Sequence, residues 1–256
     1  MTDTASAALE NAGHQPSPGF HIPHDFGPPR KSAFFLRAML IVYAGVLVWA
    51  AWVDFKTVQF IIDASNGAYQ NQMDYITDAE WIDEMAVSVD SSLRGQYLLC
   101  ALAYLTFVYA AAGNLEEARA KGFNRSAEGS VGVSFIPIAN FVLIFKVMRD
   151  IWVNSHDPVH GVERPNNILP FWWITFLIGG VGGGIIAIMT SRAVEAGDVD
   201  QAIGLARISI GTMIIGAISC ALLFVIVTRI VRTQAAWRKI PDASKADTAI
   251  LREKTQ

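Results

Sequence analysis

Charged residues and cysteine are scarce in this sequence of 256 residues. Asp, Glu, Lys and Arg make up 17% of it, whereas soluble domains usually contain about 25%. Hydrophobic residues make up 52% and the mean hydropathy is +0.34, which disfavours a soluble domain and indicates an integral membrane protein. The net charge of −3 gives no bulk electrostatic signal for nucleic acid. Both cysteines, Cys100 and Cys220, lie in apolar runs, which predicts packing rather than a disulfide or a metal site.

Four apolar runs reach the length of about 20 residues that a helix needs to cross a bilayer. They predict an all-α integral membrane fold with a single four-helix domain at 33–240. The polar, Pro- and Gly-rich ends predict flexible tails at 1–32 and 241–256, and residues 54–96 are predicted to form a loop on the outer side. The predicted spans are 33–53, 97–115, 168–190 and 208–228.

Lysine and arginine are distributed unevenly between the two sides of the membrane that these spans define. One side receives 16 of these residues and the other receives 4. The poorer side is also acidic, between Asp63 and Asp90. Because basic residues are retained on the cytoplasmic side, the sequence predicts that both termini are cytoplasmic. A fifth crossing near residues 131–145 would reverse this bias for the basic C-terminal tail, and it is therefore disfavoured.

The stretch FIPIANFVLIFKVMRDIW, residues 135–152, begins like a membrane span but becomes charged before it could cross. Pro137 disfavours helix at its start, and Asn140 is a suitable N-cap for a helix that follows. We therefore predict that residues 131–154 contain a cytoplasmic helix that is interfacial or re-entrant. A helix covered by the rest of the protein is the alternative.

The predicted helix is amphipathic. Trp152 lies on its apolar face, while Lys146, Arg149 and Asp150 gather on the opposite face. Lys146 and Asp150 also have the spacing of an i,i+4 ion pair. This pattern is typical of a helix that lies at a membrane surface.

Glycines in the third span form two overlapping faces of small residues. Gly179 with Gly183, and Gly180 with Gly184, are four residues apart, and the fourth span contributes Gly216. Such spacing lets helix backbones approach each other closely. We predict that the third span packs against the fourth within one chain. Association with another polypeptide, or a flexible span, remains an alternative.

The outer segment 54–96 contains a possible docking element. A capping-box pattern at Thr77 is followed by an apolar stripe that includes Trp81, Ile82 and Met85. This pattern predicts a short amphipathic helix that docks on the outer leaflet or on a partner. Packing of the stripe on the bundle itself is the alternative.

Several motifs occur together between residues 95 and 235. Asn114 ends the second apolar run, a Pro-Ile-Ala-Asn block stands at 137–140, and Trp172 with Trp173 opens the third span. Over this range the chain resembles the bacterial membrane family called Domain of Unknown Function 4328. The resemblance implies a multi-pass protein of the bacterial inner (plasma) membrane, and it implies no particular activity.

The residues that carry chemistry are missing from the interiors of the last three spans, which contain no Asp, Glu, His, Lys or Arg. Proton-coupled carriers and b-type haem sites normally need such residues inside the membrane. We therefore predict no catalytic residue, metal or cofactor, and a non-catalytic accessory or scaffold protein. Its predicted partners are the bilayer and either another membrane protein or further copies of itself. A small pore, carrier or lipid-handling protein that uses the Pro-Ile-Ala-Asn segment is the first alternative, and a membrane-bound sensor is the second.

Overall fold

A computed structural model describes residues 20–23, 26–136, 140–162 and 166–239. The regular structure in this part of the chain is helical, as predicted. The predicted tail 241–256 and Pro137 lie outside the described residues. The helices are α1 (Arg30–Ser65), α2 (Gln72–Glu117), α3 (Ala127–Gly132), α4 (Asn140–His156), α5 (Ile168–Phe176), α6 (Gly183–Glu195) and α7 (Val199–Ala236), with 3₁₀ turns at Val133–Phe135 and Trp237–Lys239.

Four long helices match the four apolar runs of the sequence. Helices α1, α2 and α7 contain 36, 46 and 38 residues, and α5 continues into α6 through a π-helical segment, Leu177–Gly182. Each is long and apolar enough to cross a membrane. The prediction of four membrane-capable helices is therefore confirmed.

The segment 54–96 is mostly helical, which differs from the predicted loop. α1 continues to Ser65 and α2 begins at Gln72, so that six residues connect them. The connection turns at Gly67, whose φ of 70° suits glycine, and the Asn71 side chain accepts a hydrogen bond from the Met73 backbone N–H at 3.0 Å. The hydropathy falls in this segment, but low hydropathy alone does not end a helix, because a helix can continue in water or beside other protein.

The chain divides into two compact units. Unit 1 combines residues 104–166 with the two ends of the chain, up to Phe34 and from Ile226. Unit 2 combines Phe35–Ala103 with Asn167–Val225. Unit 1 therefore holds the C-terminal end of α2, helices α3 and α4, and the C-terminal end of α7.

Candidate interaction site

The centre of unit 1 is a buried polar network around Gln234 on α7. Its side-chain amide donates to the Ala111 carbonyl at 3.2 Å and to the Ser155 hydroxyl at 3.0 Å, and its oxygen accepts from the Asn114 amide at 2.8 Å. Gln234 and Ser155 are fully buried. Because buried polar groups need partners, this network fixes helices α2, α4 and α7 in one register.

Trp237 extends this network to the N-terminal segment. Its indole N–H donates to the Ser155 carbonyl at 2.9 Å, and its ring stacks on Phe26 and meets the edge of Phe20. Arg238 also donates to the Phe26 carbonyl at 2.9 Å. The segment around Phe20 and Phe26 is thus packed in unit 1, which differs from the predicted flexible tail through residue 32. Aromatic residues in a polar tail are the sequence signal for such packing.

Helix α4 begins at Asn140, and its central apolar face is buried in unit 1. Val147, Met148 and Ile151 are almost inaccessible, and Trp152 is 7% exposed. The second half of α4 is therefore covered by the rest of unit 1, as the alternative prediction of a covered helix expects. The apolar side chains left exposed lie at and before its beginning, at Phe135, Ile136 and Val142. Contact of this end with a membrane stays a prediction.

The charged residues of α4 are arranged differently from the predicted pair. Asp150 accepts from Arg125 at 3.1 Å, a partner 25 residues earlier in the sequence. The side chains of Lys146 and Arg149 are exposed on the surface of α4. The partner that the structure gives Asp150 is thus Arg125, from the segment before α3, whereas the sequence predicted Lys146.

A cavity of about 460 Å³ lies beside Asn114 in unit 1. On its wall, the Tyr109 hydroxyl donates to Glu128 at 3.3 Å, and Glu116 accepts from the Ala127 backbone N–H at 2.8 Å. Glu116 therefore caps the beginning of α3. The wall contains three carboxylates, and these contacts give two of them, Glu116 and Glu128, a structural role.

In unit 2, the predicted glycine faces separate into a packed pair and an open pair. A Cβ on Gly179 would lie 2.6 Å from the Gly216 backbone, and one on Gly183 would lie 3.4 Å from the Thr212 hydroxyl. Gly184 has nothing within 4 Å, and Gly180 meets only the Phe176 ring of its own helix. The third apolar helix therefore packs on α7 through the first pair.

The paired tryptophans that open α5 have different environments. Trp172 is buried, and its carbonyl accepts from the Ser219 hydroxyl of α7 at 3.5 Å. Trp173 stacks on Phe176 with ring centroids 5.2 Å apart. Trp172 therefore contributes to packing between α5 and α7.

The predicted outer docking stripe is largely used inside unit 2. Ile82 is buried, and Met85 packs against the cluster of Ala50, Val53 and Val89. Trp81 remains 40% exposed and meets the edge of Trp52. Ile82 and Met85 therefore pack on neighbouring helices, as the alternative prediction expects. Trp81 is the accessible residue of the predicted stripe of Trp81, Ile82 and Met85.

Gln234 and Trp237 are the important residues that the sequence reasoning missed. Gln234 continues the buried stripe of Ile226 and Ile230 along α7 at helical spacing, and Trp237 follows it in the 3₁₀ turn. A glutamine on an otherwise apolar stripe is the available signal, because a buried amide must find partners.

Comparison with known proteins gives a family and no activity. The model of the family described as "Domain of unknown function (DUF4328)" matches residues 71–232, more than half of the chain. The chain therefore belongs to this family. No curated protein and no solved structure shows significant similarity to it.

Proposed function

We propose that this member of the DUF4328 family is a non-catalytic scaffold or accessory protein of the bacterial inner membrane. In this proposal the four apolar helices cross the bilayer and both termini are cytoplasmic. The uneven distribution of lysine and arginine supports that orientation.

The observation that carries the proposal is the exposure of the third apolar helix, α5–α6. In an apolar stretch of 18 residues of this helix, only 6% is buried, whereas 28–39% is buried in the corresponding stretches of the other three helices. Ile185 and Ile188 are each more than half exposed. The neighbouring Gly184 has open space, so another helix could approach its backbone closely.

The proposed cytoplasmic anchor is the end of unit 1 formed by Phe135, Ile136 and Val142. Their exposure is 71%, 46% and 58%. Lys146 follows Val142 by one helical turn and supplies a positive charge beside it. An apolar tip with a basic edge suits the surface of an anionic leaflet.

Site-specific photocrosslinking in living cells tests the scaffold function. The photoreactive residue p-benzoylphenylalanine is placed at Ile188, and Ile218 on α7, which is 48% exposed, serves as the matched control. We expect a discrete protein adduct from position 188 and little or none from 218. A clean monomer with lipid adducts alone at position 188, together with no co-purifying protein in mild detergent, would contradict the proposal.

A further inference from the structure

The packing of unit 2 fixes which parts of α1 and α7 lie at the same depth. The Arg37 guanidinium lies 5.9 Å from the centre of the Phe224 ring, and the Leu47 side chain meets Gly216. Met213 packs against the cluster that contains Ala50. The two helices are therefore antiparallel, and the apolar part of α1 is level with the apolar part of α7.

The same reasoning gives the depth of α2 beside α1. The Gln96 amide donates to the Met39 carbonyl at 3.1 Å, Val89 packs with Ala50, and Trp81 meets Trp52. Residues of α2 from about 85 to 103 therefore lie beside the apolar part of α1. Residues 97–103 of the run predicted as a span lie in unit 2 beside α1, and residues 104–115 belong to unit 1.

With the helices inserted as proposed above, this register places an ion pair at the depth of the hydrocarbon. Arg94 and Asp90 lie one turn apart on α2 and are joined by contacts of 2.8 and 3.1 Å. Their side chains are 79% and 58% exposed. Arg94 is only two residues from Gln96, which contacts Met39, so it lies well inside the apolar part of α1. Ionisable groups at this depth are costly to expose to lipid and normally face protein or water.

We propose that a second copy of this chain covers this face of α2, through a two-fold interface centred on Ser91 and the Asp90–Arg94 pair. The inference rests on the proposed scaffold function and identifies its partner. The face carries one charge of each sign, so it is complementary to itself, as a two-fold interface requires. If the two α2 helices are parallel, Arg94 of one copy and Asp90 of the other are offset along the helix axis by one turn, about 6 Å. Charged pairs between parallel helices commonly have a similar offset.

The shape of the face agrees with close packing of two helices. Ser91 is exposed, and Gly95 lies one turn further along with nothing within 4 Å of its Cβ position. Val87 and Leu98 are exposed at either end of this surface, at 70% and 63%. The proposed interface therefore has small residues beside the charges and apolar residues at its two ends.

Disulfide crosslinking in native membranes tests this interface. Cys100 and Cys220 are first replaced by alanine, and Ser91→Cys is then oxidised with copper phenanthroline. The matched control is Ile218→Cys, which lies at a similar depth on α7 and is 48% exposed. We expect a dimer from position 91 at a yield at least tenfold above that from position 218.

Charge variants separate the ion pairs from simple proximity. Asp90→Arg gives two positive charges in each copy and should lower the crosslinking yield of Ser91→Cys at least tenfold. Asp90→Arg with Arg94→Asp restores both signs and should recover the yield to within about threefold. Unchanged crosslinking in the single variant would overturn the proposed interface.

Two further outcomes distinguish failure of this inference from failure of the scaffold function. A crosslink from position 91 to a different protein would overturn self-association while supporting the scaffold. A spin label at position 91 that is accessible to a water-soluble relaxation agent and not to oxygen would place the face in water and overturn the inference. Neither outcome would change the test at Ile188, which uses another helix.

Discussion

At the scale of single residues, Gln234 links three helices through its one side chain. It contacts Ala111 and Asn114 on α2 and Ser155 on α4, and it is fully buried. A buried amide with all its partners stabilises a defined arrangement, whereas loss of one member leaves the others without hydrogen bonds. The network therefore explains why Asn114, identified from sequence alone, lies at the end of the second apolar run.

We expect Gln234→Ala to destabilise the protein by about 2–4 kcal/mol, because it leaves both a cavity and unsatisfied amide and hydroxyl groups. The measurement is the free energy of unfolding, or the Tm, of the purified protein in detergent. Gln201→Ala is the matched control because Gln201 is exposed on the same helix, and it should change stability by less than about 0.5 kcal/mol. Equal losses in the two variants would contradict a special role for the network.

At the scale of helices, the third apolar helix meets α7 where two glycines face each other. A Cβ on Gly179 would lie 2.6 Å from the Gly216 Cα and N atoms, so Gly179→Ala must push the helices apart. We expect a loss of about 1–3 kcal/mol, the usual effect of overpacking. Thermal unfolding in detergent provides the measurement.

The same helix supplies the control for this prediction. Gly184 is exposed with no atom within 4 Å of its Cβ position, so Gly184→Ala should be neutral, or stabilising by up to about 1 kcal/mol. If Gly184→Ala is as harmful as Gly179→Ala, helix flexibility rather than close packing accounts for these glycines.

The helices show which structural features can be predicted from local pattern. Apolar runs predicted the four long helices because a helix needs about 20 apolar residues to cross a bilayer. The parts of α1 and α2 outside the predicted spans were missed because charged residues, such as Asp54 in α1 and Asp90 in α2, lower the hydropathy without breaking the helix. Gln234 and Arg125 were missed as partners of Asn114 and Asp150 because contacts over long sequence separation leave no local pattern.

At the scale of the whole molecule, the distribution of charge is the basis for the proposed orientation. Sixteen basic residues fall on one side of the predicted spans and four on the other. In this proposal two connections face the outer side of the membrane. They are the α1–α2 connection and the short connection before α7. Exposed residues in the first connection and in unit 1 can report the orientation.

We expect Asn66→Cys to react with a membrane-impermeant maleimide in intact cells, and Val162→Cys to react only after the inner membrane is permeabilised. Both positions are exposed, and alanine at positions 100 and 220 removes the background reaction. The physical reason is that lysine and arginine resist translocation, so the segment that contains Val162, between the second and third crossings, stays in the cytoplasm. Labelling of Val162→Cys in intact cells would reverse the orientation, and labelling of both positions there would require a fifth crossing or one fewer.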